Sequence, residues 1–273
     1  MINAISVDLE DWFCVYNLES LISKKDWDKY EYRLEKNAYR ILSIFDNFHI
    51  KATFFVLGWI AEKSPELIKE IENRGHEIAL HGYSHSLITK LTPSEFEKDL
   101  TKGLEAVKNS GIKQEIIGFR APSFSITEKT IWALNILKKY NFKYDSSVFP
   151  VGFHPDYGIS DSPIFPYKIS GDLFEFPLSV VKVFGMNIPF SGGGYFRLFP
   201  YFITKFLFKK VNKENRAVMF YFHPWELDRQ QPKMKLPLIK KFRHYNNLNK
   251  TENRLQKLLQ DFKFTTIKNV LQL

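Results

Sequence analysis

Four short stretches of this 273-residue chain put reactive side chains directly after apolar runs. Asp8, Glu10 and Asp11 follow Asn3–Val7, His81 and His85 follow Glu77–Leu80, Arg120 follows Ile116–Phe119, and His223 follows Ala217–Phe222. Two histidines four residues apart plus a carboxylate form a donor set for a divalent metal. Imidazole and carboxylate suit Zn2+, Co2+ and similar ions, and a three-ligand site leaves positions for water and substrate. An ion held in this way polarises a carbonyl and acidifies water. A lone His-x-x-x-His arises readily by chance on a surface. What gives this one weight is its place after an apolar strand, with acids placed likewise after another. Each residue also has a purely structural reading. Asp8 or Asp11 would cap a helix, Arg120 would make a salt bridge, and His223 would be a satisfied core histidine. Cys14, near the first motif, reads as a small buried hydrophobe.

These residues meet only if the fold gathers the ends of the apolar runs. Further strand candidates are Ala52–Leu57, Tyr144–Phe149, Leu173–Pro177 and Phe264–Thr266. Helical patterns fall between them at Leu34–Asn47, Pro65–Arg74, Pro93–Ser110, Thr127–Tyr140 and Glu252–Asp261. Two begin after Ser64 or Thr92 with Pro first and stop at Gly75 or Gly111, which are start and stop signals for helices. Such alternation predicts an α/β fold with crossovers between parallel strands. About seven strands predict a distorted or incomplete (β/α) barrel with its reactive groups at the C-terminal mouth. Residues 150–200, rich in Pro, Gly and aromatics, read as an inserted excursion of loops and β segments where a substrate could be covered, with His154 lining the cleft. His76 has no assigned role. Trp12, Phe13, Tyr195, Phe196 and Trp225 flank the motifs and suit sugar stacking or a core equally well. The length fits one domain over 1–273, with 150–200 as insertion and 229–273 as a basic C-terminal extension.

The net charge of +9 is concentrated. Residues 229–273 hold eleven Lys/Arg against two acids, the whole excess. A solvated lysine-rich surface would look like this, and so would a surface for an anionic partner such as a polyanionic glycan, a diphosphate-linked sugar or anionic lipid. Specific nucleic-acid binding is not expected, because no fingerprint accompanies the charge. The segment LFPYFITKFLFKKV (198–211) places Phe199, Phe202 and Phe206 on one helical face and Lys205 and Lys209 on another. That fits an interfacial helix or one packing its aromatics inward. One cysteine excludes an internal disulfide and multi-cysteine metal sites. No apolar run reaches the ~18 residues of a membrane span. The start, MINAISVDLED, lacks the basic and apolar regions of a signal peptide, so the expected location is cytoplasmic, and the basic and aromatic segments leave a peripheral place at the inner membrane surface open.

SVDLED (6–11), HGYSH (81–85), FRAPSF (119–124) and FYFHPWE (220–226), with KATFFVLG (51–58) and GHEIALHGYSH (75–85), follow in an order and spacing that resemble the polysaccharide deacetylases with NodB homology, carbohydrate esterase family 4. YDSSVFP, GGGYFRLFP and HPWE resemble its subgroup encoded with bacterial exopolysaccharide and cell-envelope glycan genes. The resemblance implies a metal-dependent hydrolase that removes N-acetyl groups from an amino sugar in a polysaccharide or glycan precursor, the precursor being lipid-linked or a nucleotide sugar. It implies Asp8 as general base, His81 and His85 as ligands of a divalent metal (Zn2+ before Co2+), Arg120 as the arginine that holds Asp8, and His223 as general acid. Three departures stand out. The first motif is Asp-x-Glu-Asp, so the metal carboxylate is Glu10 if the chain stays extended or Asp11 if it has turned. Gly82 replaces the usual Ser or Thr, removing a hydroxyl that would orient the site. No Asp/Trp fourth motif is evident, and Trp225 and Glu226 are placed to replace it in part. Two other outcomes fit these departures: a catalytically impaired member that binds glycan or a membrane surface, and a hydrolase of another linear or cyclic amide. Intact His81 and His85 argue against the metal-independent branch.

Overall fold

The computed structural model describes residues 1–152 and 157–273, so His154 lies outside the described residues. Strand β1 (Ile2–Leu9) is buried from Asn3 onward, as a parallel strand covered on both faces must be. Parallel neighbours extend from it through β2 (Thr53–Val56), β3 (Glu77–Leu80), β4 (Gly118–Phe119) and β5 (Tyr144–Asp145). β6 (Tyr167–Ser170) and β7 (Leu173–Glu175) form an antiparallel pair, of which β7 joins β5 in parallel. The hairpin β8 (Val180–Val183) and β9 (Met186–Pro189) stands apart. β10 (Met219–Phe222) flanks β1 on its other side, and β11 (Lys263–Thr265) pairs with the first residues of β1. The order β10-β1-β2-β3-β4-β5-β7 is a curled, mostly parallel sheet, the incomplete (β/α) barrel that the alternation predicts. Between β10 and the segment after β7, side chains and loops bridge the opening: Met219 N–H donates to Ser179 Oγ and Tyr221 N–H to Ser191 O.

The connecting helices are α1 (Leu34–Asn47), α2 (Gly58–Lys63), α3 (Pro65–Asn73), α4 (Pro93–Asn109) and α5 (Trp132–Lys139). α4 opens with a Thr92–Glu95 capping box, which ties down two of its orphan amides. α3 has Pro at its first turn but no side-chain cap, because the Ser64 hydroxyl donates to Glu35 instead. The expected Thr127–Tyr140 helix breaks into a short 3-10 turn, Glu128–Thr130, followed by α5. There the Thr130 hydroxyl accepts from Thr127 N–H and donates to Ser125 O.

The C-terminal half departs most from expectation. After β9 come α6 (Gly193–Leu198) and α7 (Tyr201–Lys213), and after β10 come α8 (Leu238–Tyr245), α9 (Leu248–Asp261) and α10 (Ile267–Leu271). Residues 150–200 are not wholly an insertion, since β7 is a barrel strand. Residues 229–273 are built in rather than appended. β11 pairs with β1, and Ile267 N–H donates to Thr53 Oγ1. One continuous apolar core runs from Ile5 to Phe264 and draws on both halves of the chain.

Candidate active site

Strand alternation turns Ser6 and Asp8 to the same face of β1. Immediately after, Glu10 N–H donates to Asp8 O at 2.9 Å, a tight turn at Leu9. That turn separates the two acids left open by the sequence. Glu10 faces the histidine loop. The Asp11 carboxylate accepts from the amides of Trp12, Arg33 and Leu34 at 2.7, 2.7 and 3.0 Å. It therefore caps the start of α1, the structural reading of an acid at this place. Burial pushes the Asp11 carboxyl up to about 6, against the pull of those amide bonds.

The histidine loop leaves β3 through Gly82 at φ +74° and ends on His85 at φ +52°, both in the left-handed region. A Cβ on residue 82 would stand 2.8 Å from Asp99 Oδ2. Asp99, from α4, accepts from Tyr83 N–H at 2.8 Å and from Ser84 Oγ at 2.7 Å. Asp99 thus ties the histidine loop to α4, and glycine at 82 is what lets its carboxylate approach.

His81 Nδ1 lies 2.7 Å from the Arg120 carbonyl. A carbonyl can only accept, so Nδ1 carries a proton and Nε2 is the nitrogen left for the site. That Nε2 faces Glu10 Oε1 at 3.1 Å, and His85 Nε2 faces the same oxygen at 3.0 Å. Either an Nε2–H or a metal ion can bridge an imidazole and a carboxylate oxygen at this separation. These three buried donors fit a divalent ion in number, type and convergence. Burial raises the Glu10 carboxyl, but nearby His85 and His223 and hydrogen bonds from both loop histidines outweigh it and hold it well below the usual range.

On one flank, Arg120 Nη1 donates to Asp8 Oδ1 at 2.6 Å and to Ser6 Oγ at 2.8 Å. Its Nε and Nη2 are held by Ser146 O and Oγ at 3.0 Å, and its guanidinium lies 4.0 Å from the centre of the Phe55 ring. Asp8 and Arg120 are both buried. With Oδ1 engaged, Asp8 Oδ2 faces His223 Nε2 across 3.9 Å. His223 Nε2 is also 3.9 Å from Glu10 Oε1. Both gaps are too long for a hydrogen bond, so the imidazole borders the space between the two acids. Glu226 Oε1 takes the other ring nitrogen, Nδ1, at 2.8 Å, and Arg197 Nε binds Glu226 Oε2 at 2.6 Å. Burial pulls the His223 imidazole down, but Glu10, Glu226 and Asp8 outweigh it and push it up to about 9. For Glu226, burial acts upward while Arg197 and His223 bring it down to about 2. The Glu226 carboxylate on Nδ1 thus favours the protonated imidazole of His223.

The structure thus gathers Asp8, Glu10, His81, His85, Arg120 and His223 and leaves Asp11 outside. The sequence reading missed Arg197, Asp99 and Ser146. Arg197 sits in the Gly-rich segment 192–200, and a Cβ on Gly193 would lie 1.9 Å from Glu226 Oε1, so the glycine run makes room for that carboxylate. Trp12, Phe13, Phe196 and Trp225 are buried core residues, and Tyr195 is partly exposed. Cys14 is buried, and burial, with Asp11 and Glu10 beside it, pushes its thiol well up. His76 is also buried, its Nδ1 accepting from Ala52 N–H.

Residues 27–144 match the polysaccharide deacetylase family, and residues 146–272 match a family described as a domain of unknown function (DUF3473). The first match contains His81, His85 and Arg120; Asp8, Glu10 and His223 lie outside it. The peptidoglycan deacetylase of Helicobacter pylori is 35% identical over 118 residues, which is 43% of this chain and 39% of that protein. The peptidoglycan-N-acetylmuramic acid deacetylase PdaA of Bacillus subtilis is 29% identical over 89 residues, 32% of this chain and 34% of that one. The chain thus spans well under two thirds of these relatives. Among solved structures, a polysaccharide deacetylase candidate from Mycobacterium smegmatis superposes with a TM-score of 0.62 at 21% identity, covering 98% of this chain and 88% of that one. A CE4 family pseudoenzyme from Bacillus anthracis gives 0.52 at 14% identity, covering 99% and 65%. At these identities the likeness is one of fold. Residues 27–144 thus match the polysaccharide deacetylase family and residues 146–272 the DUF3473 family, and both matched stretches contribute strands to one sheet.

Proposed function

We propose that this protein hydrolyses the acetamide of an N-acetylated amino sugar in an envelope glycan, an exopolysaccharide or their precursors, using a divalent ion, Zn2+ before others. The observation that carries this reading is the meeting of Glu10 Oε1 with two imidazole Nε2 atoms at 3.0 and 3.1 Å, bordered by Asp8 and His223. Relatives named for peptidoglycan and chitooligosaccharide, both N-acetylated glycans, support the substrate class.

Glu10, His81 and His85 would hold the ion, which when bound supplies Lewis acidity toward a carbonyl and lowers the pKa of water. Asp8 Oδ2, with Oδ1 pinned by Arg120, takes a proton from the attacking water as its oxygen bonds to the acyl carbon. The C–N bond then breaks, and the departing nitrogen takes the proton on His223 Nε2. An amide nitrogen leaves poorly without that proton, so the imidazolium favoured by Glu226 is the form the step needs. Arg120, fixed from four sides, keeps Asp8 in place through the turnover. The products are acetate and a free amino sugar.

A member that binds glycan without turnover would be expected to lack one of these groups. The full set of base, ligands and acid favours catalysis, and Gly82 is accounted for by Asp99. The test is acetate release from N-acetylglucosamine oligomers by the Zn2+- or Co2+-loaded protein. Asp8→Asn is expected to lower the rate by about 10³-fold with its fold and bound metal retained. A near-wild-type rate in that variant would remove Asp8 from the reaction.

A further inference from the structure

Helix α8 is amphipathic in the reverse of the usual sense. Its sequence, LIKKFRHY, packs on the body of the protein through buried His244, whose ring stacks on Trp225 at 4.5 Å. Leu238, Ile239 and Phe242, at i, i+1 and i+4, share the opposite face and are 83%, 70% and 56% exposed. A helix that packs on a soluble body normally turns such residues inward. Lys241 and Arg243 border this stripe on either side, and Lys233, Lys235 and Lys240 lie close in sequence. The helix belongs to the segment that holds the chain's whole positive excess, and both acids of that segment are engaged, Glu252 by Arg40 and Asp261 by Lys205. A second set of exposed apolar side chains, Phe202 and Phe206 at 71% and 64%, lies on α7. Arg197, at the end of α6 just before α7, donates to the carbonyls of residues 243, 244 and 246 at the end of α8. The same guanidinium holds Glu226, so α8 stands beside the mouth that His223 borders.

We propose that α8 is a docking helix for an anionic lipid bilayer, with Leu238, Ile239 and Phe242 entering the headgroup boundary and the flanking lysines and arginine meeting acidic headgroups. Of the occupants an exposed apolar face could take, the anionic bilayer is the one the charge favours. Apolar insertion flanked by cations is the interfacial-helix pattern, while a surface pairing with a second basic copy would bring like charges together. The docked orientation sets the catalytic mouth beside the lipid surface, where a lipid-linked or membrane-associated glycan would be presented. No described helix is long and apolar enough to span the membrane, so contact by this surface is peripheral. The inference does not depend on the hydrolytic reading, because its readout is lipid binding.

The experiment is sedimentation of the full chain with vesicles of phosphatidylcholine alone or with about a third phosphatidylglycerol, alongside sedimentation velocity in the absence of lipid. The wild type is expected to bind the anionic vesicles at least roughly tenfold better than the neutral ones and to weaken as salt rises. L238S/I239S/F242S, whose changes lie on an exposed face, and K240E/K241E are each expected to lose roughly tenfold in vesicle affinity, with acetate release from soluble oligomers unchanged. Absent wild-type binding, or binding unaltered in both variants, would overturn the proposal. So would a wild-type dimer that the triple variant dissolves without any lipid binding, which would assign the face to a second copy.

Discussion

The two walls of the site give the remote nitrogen of their imidazoles different partners, a backbone carbonyl for His81 and a carboxylate for His223. On the N-terminal wall, His81 Nδ1 donates to a backbone carbonyl, which aims Nε2 at Glu10. On the C-terminal wall, His223 gives its Nδ1 proton to a carboxylate that is itself fixed by Arg197, which favours the charged ring. The partner of the remote nitrogen decides whether a histidine is a ligand or a proton donor. Both rings belong to one sheet, yet the first wall is set by strand ends and tight loops. The second depends on side chains gathered from α6 and from the turn after β10.

That contrast can be broken in stages. The largest effect is expected from His223→Ala, which removes the proton donor but no metal ligand. Acetate release should fall by about 10²–10⁴-fold while bound metal stays at the wild-type level. Loss of metal along with rate would mean the walls are not separate. Next comes Glu226→Gln, which keeps the shape and removes the charge. A rate loss of about 10–100-fold is expected. Because the donor must be protonated, activity holds below the imidazole's pKa and fades as pH rises through it. Losing a neighbouring negative charge lowers that pKa, so the alkaline limb of the pH–rate profile should move to lower pH. An unmoved limb would show that Glu226 has no electrostatic hold on His223. The smallest effect is expected from Gly82→Ser, which adds a hydroxyl to the histidine loop. With φ at +74° and Asp99 Oδ2 2.8 Å from the new Cβ, it should lower stability by about 1–2 kcal/mol in denaturant unfolding. A stabilised variant would contradict the role given to Asp99.

The same contrast explains what could be read in the sequence. The N-terminal wall was legible because each of its groups sits within a few residues of a strand end in a regular β–loop–α unit. Glu77–Leu80 and Leu34–Asn47 were delimited to the residue. Glu10 and Asp11 could not be told apart, because the decision lies in one hydrogen bond, Glu10 N–H to Asp8 O, that composition does not encode. The C-terminal wall was legible at His223 and only partly at Glu226. Arg197 precedes Glu226 by 29 residues, and the glycine run that admits the carboxylate gave no sign of what it made room for. The strands β8 and β9 were expected only as unplaced β segments of residues 150–200, because their apolar residues lie among prolines, glycines and exposed turns. α8 could not be read as a packing helix because its apolar face points away from the protein.

The central claim is that Glu10, not Asp11, joins His81 and His85 around a divalent ion. It is tested most directly by the metal content of purified protein after Zn2+ loading and removal of excess. Asp11→Ala is expected to keep about one ion per chain while losing about 1–2 kcal/mol of stability as the cap on α1 goes. Glu10→Ala is expected to fall to near zero, still folded. The reverse pattern, with metal kept in Glu10→Ala and lost in Asp11→Ala, would contradict the account.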